Sequence, residues 1–266
     1  MEKNKPLNYL TMDLEIYDTI KKDKKNWDNY IENSTKMAEH IFEKLNKNNI
    51  KITCFVTDDF VVNYYDLFHK KIVNHHEISC HTHNHFYFNG KNKQNFFKSI
   101  ASNKEFLEKE IGYKCLGFRS PGAFVPNDLV KFLIRNDFRY DSSVLPGIIP
   151  TRHFKISAPK DIYHPSDNNI FKIDDKQKLL VEIPLSVSPK LRISQNGFFF
   201  PYVFNLEKAF NSNQRNIISI HISDFLYPRF KSYIWDYLKR PDKTLYLFNK
   251  IVKESINKNL RLVTLI

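Results

Sequence analysis

The sequence predicts an α/β fold, a distorted (β/α) barrel of about seven parallel strands in one domain over residues 1–266, and three observations carry that prediction. Short apolar runs of strand length alternate along the chain with longer stretches in which apolar residues recur at helical spacing. A strand–helix–strand succession implies right-handed crossovers and a mainly parallel sheet. Asp13, Glu15, His81, His85, Arg119, Asp141 and His221 all fall at the C-terminal ends of expected strands, where barrels of this kind carry their chemistry.

The elements follow in order. Residues 7–12 alternate apolar and polar side chains as a short strand does, and they end in the acidic cluster Asp13, Glu15 and Asp18. Ser34 is expected to cap a helix in which Met37, Ala38, Ile41, Phe42 and Leu45 share a face, and Asn48-Asn49 to end it. A strand is expected over 50–56, a helix over 60–73, and a strand over 77–80 that runs into His81, His83 and His85. The alternation continues with a helix over 94–111, a strand over 115–118, a helix over 127–136 and a strand over 139–142. Residues 146–178 have little periodicity and read as a long loop with short hairpins. Residues 179–183, 217–221 and 260–266 read as three further buried strands, and 243–256 as the last helix.

Composition narrows the function classes. A hydrophobic content of 42% with 23 Phe and 14 Tyr excludes a disordered chain. The net charge of +12 would favour an anionic partner, but the lysines are interleaved with asparagines at 44–51 and 91–93. No aromatic-plus-basic module accompanies them, so no nucleic-acid partner is expected. Cys54, Cys80 and Cys115 lack CxxC spacing, which argues for a reducing compartment. Neither a secretory apolar region nor an apolar run of membrane-span length is visible. The expectation is a cytoplasmic protein with peripheral contact to the inner membrane face.

His81 and His85, in His-x3-His spacing, can converge on one metal ion. Asp13 and Glu15, two apart beyond a strand, would complete a three-ligand site with one acid to spare, although alone they read as an ordinary turn or helix cap. Three protein ligands leave coordination positions open, as a catalytic ion requires. Arg119, in Gly117-Phe118-Arg119-Ser120-Pro121-Gly122, offers a guanidinium fork that could lock a carboxylate in place. His221 ends an apolar strand, which fits a core histidine or a general acid.

Taken together, Thr11-Met12-Asp13-Leu14-Glu15, His81-Thr82-His83-Asn84-His85, Phe118-Arg119-Ser120-Pro121-Gly122, Phe138-Arg139-Tyr140-Asp141-Ser142-Ser143 and Ile218-Ser219-Ile220-His221 resemble the polysaccharide deacetylases, the NodB-homology or carbohydrate esterase family 4 enzymes. The resemblance runs from about Leu7 to the C-terminus. It implies that Asp13 is the general base, that His81 and His85 bind the metal, that Arg119 orients Asp13 and that His221 is the general acid. Asp141 is expected to hold His221 in its working state, and His83 to point away from the metal. The family's usual motif has adjacent aspartates; here Glu15 takes the place of the metal-binding one, with Asp18 as a second candidate. Glu182-Ile183-Pro184 resembles a strand-end segment of the same family. The expected cofactor is a divalent ion, Zn2+. The expected reaction removes an N-acetyl or related N-acyl group from an amino sugar, linked to a nucleotide or to polyprenyl phosphate, in glycan or surface-polysaccharide assembly. The alternatives are a non-sugar amide hydrolase of the same fold, an iron oxygenase with a two-His-one-carboxylate site, and a metal-free sugar-binding protein.

Overall fold

Strand β1, Leu7–Leu14, is paired on both sides, and its side chains divide between two interiors. Leu10, Met12 and Leu14 join a large apolar cluster with the helices, whereas Tyr9 belongs to a second cluster with Phe55, Tyr140, Ile183 and Ile217. Residues of that second cluster come from strands right across the sheet, so it fills the inside of a curled sheet. Because side chains alternate along a strand, Thr11 and Asp13 share the inner face with Tyr9. The same period places Phe55, Ser79 and His81, Gly117 and Arg119, and Ser219 and His221 on that inner face. Alternation alone thus selects the polar residues that meet inside.

The computed structural model describes residues 7–16, 21, 24–149, 154–186, 216–226, 241–257, 261–262 and 264–265. The other main-sheet strands are β2 (Thr53–Val56), β3 (Glu77–Cys80), β4 (Gly117–Phe118), β5 (Tyr140–Asp141), β10 (Val181–Glu182) and β11 (Asn216–His221). They lie in the order β10-β5-β4-β3-β2-β1-β11, all parallel, and β12 (Arg261–Leu262) adds to the start of β1. The expected distorted barrel of parallel strands is therefore present. Its two edge strands approach beyond β10, where Ser186 donates its N–H to the Ile217 carbonyl at 3.0 Å and accepts the Ile217 N–H on its hydroxyl at 2.9 Å. The loop expected to carry hairpins holds two: β6 (Gly147–Ile149) with β7 (Phe154–Ile156), and β8 (Pro165–Ser166) with β9 (Asn169–Ile173).

The helices depart from the sequence expectations in two places. Helix α1 runs Trp27–Lys47, so Ser34 is not its cap but lies inside it. A serine is tolerated there because its hydroxyl donates to the Tyr30 carbonyl at 2.6 Å and pairs with the Tyr64 hydroxyl at 2.6 Å. The helix expected over 60–73 is broken into α2 (Asp58–Asn63), α3 (Tyr65–Leu67) and a π-helical turn, Phe68–Ile72, the first break falling at Tyr64 with φ −123°. Helices α4 (Lys93–Ile111), α5 (Leu129–Arg135) and α6 (Pro241–Ile256) agree with the periodicity, and Gly112 ends α4 in the left-handed region at φ +78°. Gly117 is required by a close approach: a Cβ there would lie 2.0 Å from the ring of Tyr140. That ring crosses the interior so that its hydroxyl reaches Ser79 at 2.7 Å and Glu77 at 2.6 Å.

His76 is buried between β3 and α1, its ring 5.2 Å from that of Phe42 and its Nδ1 accepting the Ile52 N–H. Burial, reinforced by His75 and Lys51, pushes its pKa down to about 3 from an ordinary value of 6.5. Between those values the unfolded chain binds a proton that the folded chain does not. Stability should therefore fall as pH drops from 6.5 towards 3, by up to about 1.4 kcal/mol per pH unit from this residue, and be flat above. In urea unfolding at pH 7.5 and 4.5, His76→Phe should lose less stability between the two pH values than the unsubstituted protein. Parallel losses would show that His76 does not carry the acid sensitivity.

Candidate metal centre and active site

Beyond β3 the backbone turns sharply. Thr82, Asn84 and His85 have φ of +67°, +52° and +58°, a region that a β-branched residue such as Thr82 enters only under strain. The turn folds His85 back so that its ring lies 5.3 Å from that of His81. A polar brace holds it there. Asn103 of α4 accepts the His81 N–H at 2.9 Å, and its amide donates to the Val56 carbonyl and to the Asp58 carboxylate. Ser99 accepts the His83 N–H at 3.0 Å, and His83 donates from Nδ1 to Asp58 at 2.5 Å. His83 is thereby turned away from His81 and His85. Asn103 and Asp58 had no signal in the sequence, because a polar residue on a helix reads as solvent-facing until its neighbours are known.

Glu15 follows β1 and meets both rings: its Oε2 is 3.2 Å from His81 Nε2 and 2.5 Å from His85 Nε2. One ligand atom from each of Glu15, His81 and His85 lies within 4.8 Å of the others, close enough to hold a single ion. The His81 tautomer suits that task. Its Nδ1 is 2.7 Å from the Arg119 carbonyl oxygen, which can only accept, so Nδ1 carries the hydrogen and Nε2 offers its lone pair to the site. Two imidazoles and a carboxylate, with no fourth protein ligand in the cluster among the described residues, fit a divalent ion such as Zn2+ with open positions. Asp18, the second candidate, lies outside the described residues.

Asp13 sits beside this triad. Arg119 Nη1 donates to its Oδ1 at 2.5 Å, and its Oδ2 is 3.5 Å from His221 Nε2 and 4.0 Å from His81 Nε2. Burial by itself would raise the Asp13 pKa, but the Arg119 guanidinium, followed by His221 and His81, holds the carboxyl well below the usual range. Glu15 is likewise favoured by burial towards its neutral form and is held ionised by His85 and His81. His221 pairs in register with Asp13 across β1 and β11, with its Nε2 3.7 Å from Glu15. Its Nδ1 is 3.0 Å from Asp224 Oδ2, which also accepts the His221 backbone N–H at 2.7 Å. Burial would depress the imidazolium, yet Asp224, with Asp13 and Glu15, raises its pKa well above the ordinary value.

Asp141 does not reach His221, which corrects the expectation drawn for it. Its carboxylate accepts the Ser143 N–H at 3.1 Å and hydroxyl at 2.7 Å, and faces Glu182. Alternation along β5 puts Tyr140 and Ser142 inside and turns Asp141 to the opposite face. Asp224 fills the place beside His221, three residues along the same turn, Ile222–Phe225. His-x-x-Asp was in the sequence, but without the turn nothing joined the two. Arg119 completes the site: besides Asp13 it donates to Thr11 Oγ1, Ser219 Oγ, the Ser142 carbonyl and Ser142 Oγ, all within 3.0 Å.

The family model described as polysaccharide deacetylase matches residues 16–140, a segment that holds His81, His85 and Arg119. No curated protein matches the chain at the level of sequence. Among solved structures, the Bc1960 peptidoglycan N-acetylglucosamine deacetylase is 16% identical with a TM-score of 0.54, over 98% of this chain and 87% of that one. The PuuE allantoinase is 13% identical with a TM-score of 0.64, over 97% and 87%. BA3943 from Bacillus anthracis, a carbohydrate esterase family 4 pseudoenzyme, is 12% identical with a TM-score of 0.53, over 98% and 64%. At such identities these likenesses show the fold alone. The neighbours share the distorted barrel of parallel strands, and the sequence match relates residues 16–140 of this chain to the polysaccharide deacetylase family.

Asp224 is the main cause that raises the His221 pKa, so Asp224→Asn should lower it. Histidine NMR titration of the chelator-treated chain measures this directly. An unchanged His221 titration would show that Asp13 and Glu15 alone hold the charge.

Proposed function

We propose that this chain is a metal-dependent hydrolase that removes an N-acetyl or related N-acyl group from an amino sugar in glycan or surface-polysaccharide biosynthesis. The observation that carries the reading is the convergence of Glu15, His81 and His85 beside Asp13 and His221, two groups held in opposite charge states 3.5 Å apart. In this reading Glu15, His81 and His85 hold a divalent ion, Zn2+, which when bound supplies Lewis acidity towards the acyl carbonyl and the attacking water. Asp13 is the base. Kept ionised by Arg119, it is free to take the proton of the attacking water, and the guanidinium fixes which of its oxygens faces the substrate. His221 is the acid: protonated and steadied by Asp224, it donates from Nε2 to the departing nitrogen, which would otherwise leave as a very poor amide anion. Asp141 has only a positioning part, through Ser143 and the Ser142 segment that grips Arg119.

The substrate in this proposal is an N-acylated sugar carried on a nucleotide or a polyprenyl phosphate, a choice supported by the +12 net charge. The setting is the cytoplasm and the inner membrane face. Three buried, unpaired cysteines agree with a reducing compartment, and no helix among the described residues is long and apolar enough to cross a membrane. A second reading, a non-sugar amide hydrolase, draws on the likeness to an allantoinase and would keep every catalytic role while changing the pocket wall. The convergence of Glu15, His81 and His85 favours a metal-dependent enzyme over a metal-free sugar-binding protein.

Elemental analysis should find one zinc per chain, lost in a His81→Ala/His85→Ala variant that still folds; metal retained by that variant would refute the ligand assignment. Asp13→Asn should keep its metal while acetate release from N-acetylated saccharides falls by about two to four orders of magnitude. Loss of the ion in this variant would instead exchange the roles of Asp13 and Glu15.

A further inference from the structure

Two backbone carbonyls stand immediately before metal ligands on different parts of the chain: that of Leu14 before Glu15, and that of Asn84 before His85. A run of polar side chains joins them. The Thr57 N–H donates to the Leu14 carbonyl at 3.1 Å, and the Thr57 hydroxyl donates to Asp59 Oδ1 at 2.5 Å. Asp59 Oδ2 lies 2.5 Å from Lys21 Nζ, and the same ammonium donates to the Asn84 carbonyl at 3.1 Å. Thr57 and Asp59 belong to the start of α2, and Lys21 to the segment between β1 and α1. The strap they form spans one gap, that between Glu15 and His85, whose Oε2 and Nε2 are 2.5 Å apart.

The peptide group is planar, so an anchored carbonyl oxygen also fixes the direction of the N–H and Cα that follow it. Holding the Asn84 oxygen therefore aims His85, and holding the Leu14 oxygen aims Glu15. His85 has particular need of this. It lies beyond the end of β3, and both it and Asn84 are left-handed, a conformation that persists only where the surroundings impose it. Nor is the ion pair an ordinary surface pair. The Lys21 and Asp59 side chains are 24% and 12% exposed, and Asp59 Oδ2 is itself buried, so loss of the ammonium would strand a buried carboxylate oxygen.

We propose that Lys21 and Asp59 are positioning residues of the metal centre: by bridging the peptide planes that precede Glu15 and His85, they set the spacing of those two ligands. This rests on the proposed function and adds to it a determinant of metal affinity that supplies no ligand atom. Groups that orient ligands from behind commonly control metal affinity as strongly as this. The effect has a sign that charge alone does not give. An ammonium beside the site repels a divalent cation, so electrostatics predicts tighter binding once it is removed. The strap predicts the opposite, because without it Glu15 and His85 lose their common register.

The test is the zinc affinity of the full chain, measured by competition with a chromophoric chelator. Lys21→Met should weaken zinc by about ten- to hundredfold, while Lys21→Arg keeps most of the affinity. Asp59→Asn preserves the contact with Thr57 but turns an amide N–H towards the ammonium, and should approach Lys21→Met; it carries the test if Lys21→Met does not fold. Because the two residues act as one unit, the double variant should bind no more weakly than Lys21→Met alone. Lys36→Met, which breaks an exposed pair with Glu32 on α1, should leave the affinity unchanged. Zinc held by Lys21→Met or Asp59→Asn as tightly as by the parent, or more tightly, overturns the strap, as does an equal loss in Lys36→Met. A parent chain that binds no zinc would defeat the proposed ligand set and the strap together, so the parent measurement tells the two failures apart.

Discussion

A single buried guanidinium sets the terms for the rest of the site. Arg119 is 3% exposed and lies with its charged centre 3.9 Å from the Phe55 ring, deep inside the curled sheet. A charge so placed is tolerated only if every donor is met and an anion stands close by. The donors are met by Thr11 and Asp13 of β1, by Ser142 beyond β5 and by Ser219 of β11, so one side chain just beyond β4 reaches oxygen on three other strand ends. The register follows: Thr11 lies opposite Ser219 and Asp13 opposite His221. A slip of one residue would turn these groups out of the interior and leave the guanidinium unpaired.

The same demand explains why two pairs of buried carboxyls behave in opposite ways. Asp13 and Glu15 are ionised because Arg119 and three histidines surround them. Asp141 and Glu182 face each other on the other side of the sheet, where the guanidinium lowers both pKa values by less than burial raises them. There burial raises both pKa values, and for Glu182 the nearby Asp141 raises it further, so the pair is best satisfied by sharing a proton. Identical chemical groups thus take an acid–base part in one place and a packing part in the other.

Backbone strain is concentrated in the metal-ligand loop, which holds three of the six non-glycine residues with positive φ among the described residues. Thr82 adopts a backbone conformation that costs on the order of 1–3 kcal/mol, and the surrounding brace of Asn103, Asp58 and Ser99 holds it in place. Without that turn His85 would continue away from His81, and Glu15 would meet one imidazole instead of two. The rigidity of the site is therefore supplied by a helix, α4, that contributes no ligand.

Strand and helix succession, the parallel sheet, the inward set Asp13, Glu15, His81, Arg119 and His221, and the likeness to deacetylases were all legible in the residues. Periodicity of two and of 3.6 is a local property, and so is a motif of adjacent residues. Helix starts were less legible: Ser34 looks like a cap by type, and only the packing of Tyr30 and Tyr64 around it keeps it inside α1. The fate of Asp141, the pairing of Asp224 with His221 and the hold of Asn103 on His81 belonged to tertiary structure alone. Each depends on which way a side chain faces once a strand or turn has been placed, and on partners up to 45 residues away in the chain. The sequence determined which chemical groups reach the barrel rim, because spacing along a strand is enough for that; which of them touch was decided only by the closure of the sheet around one buried charge.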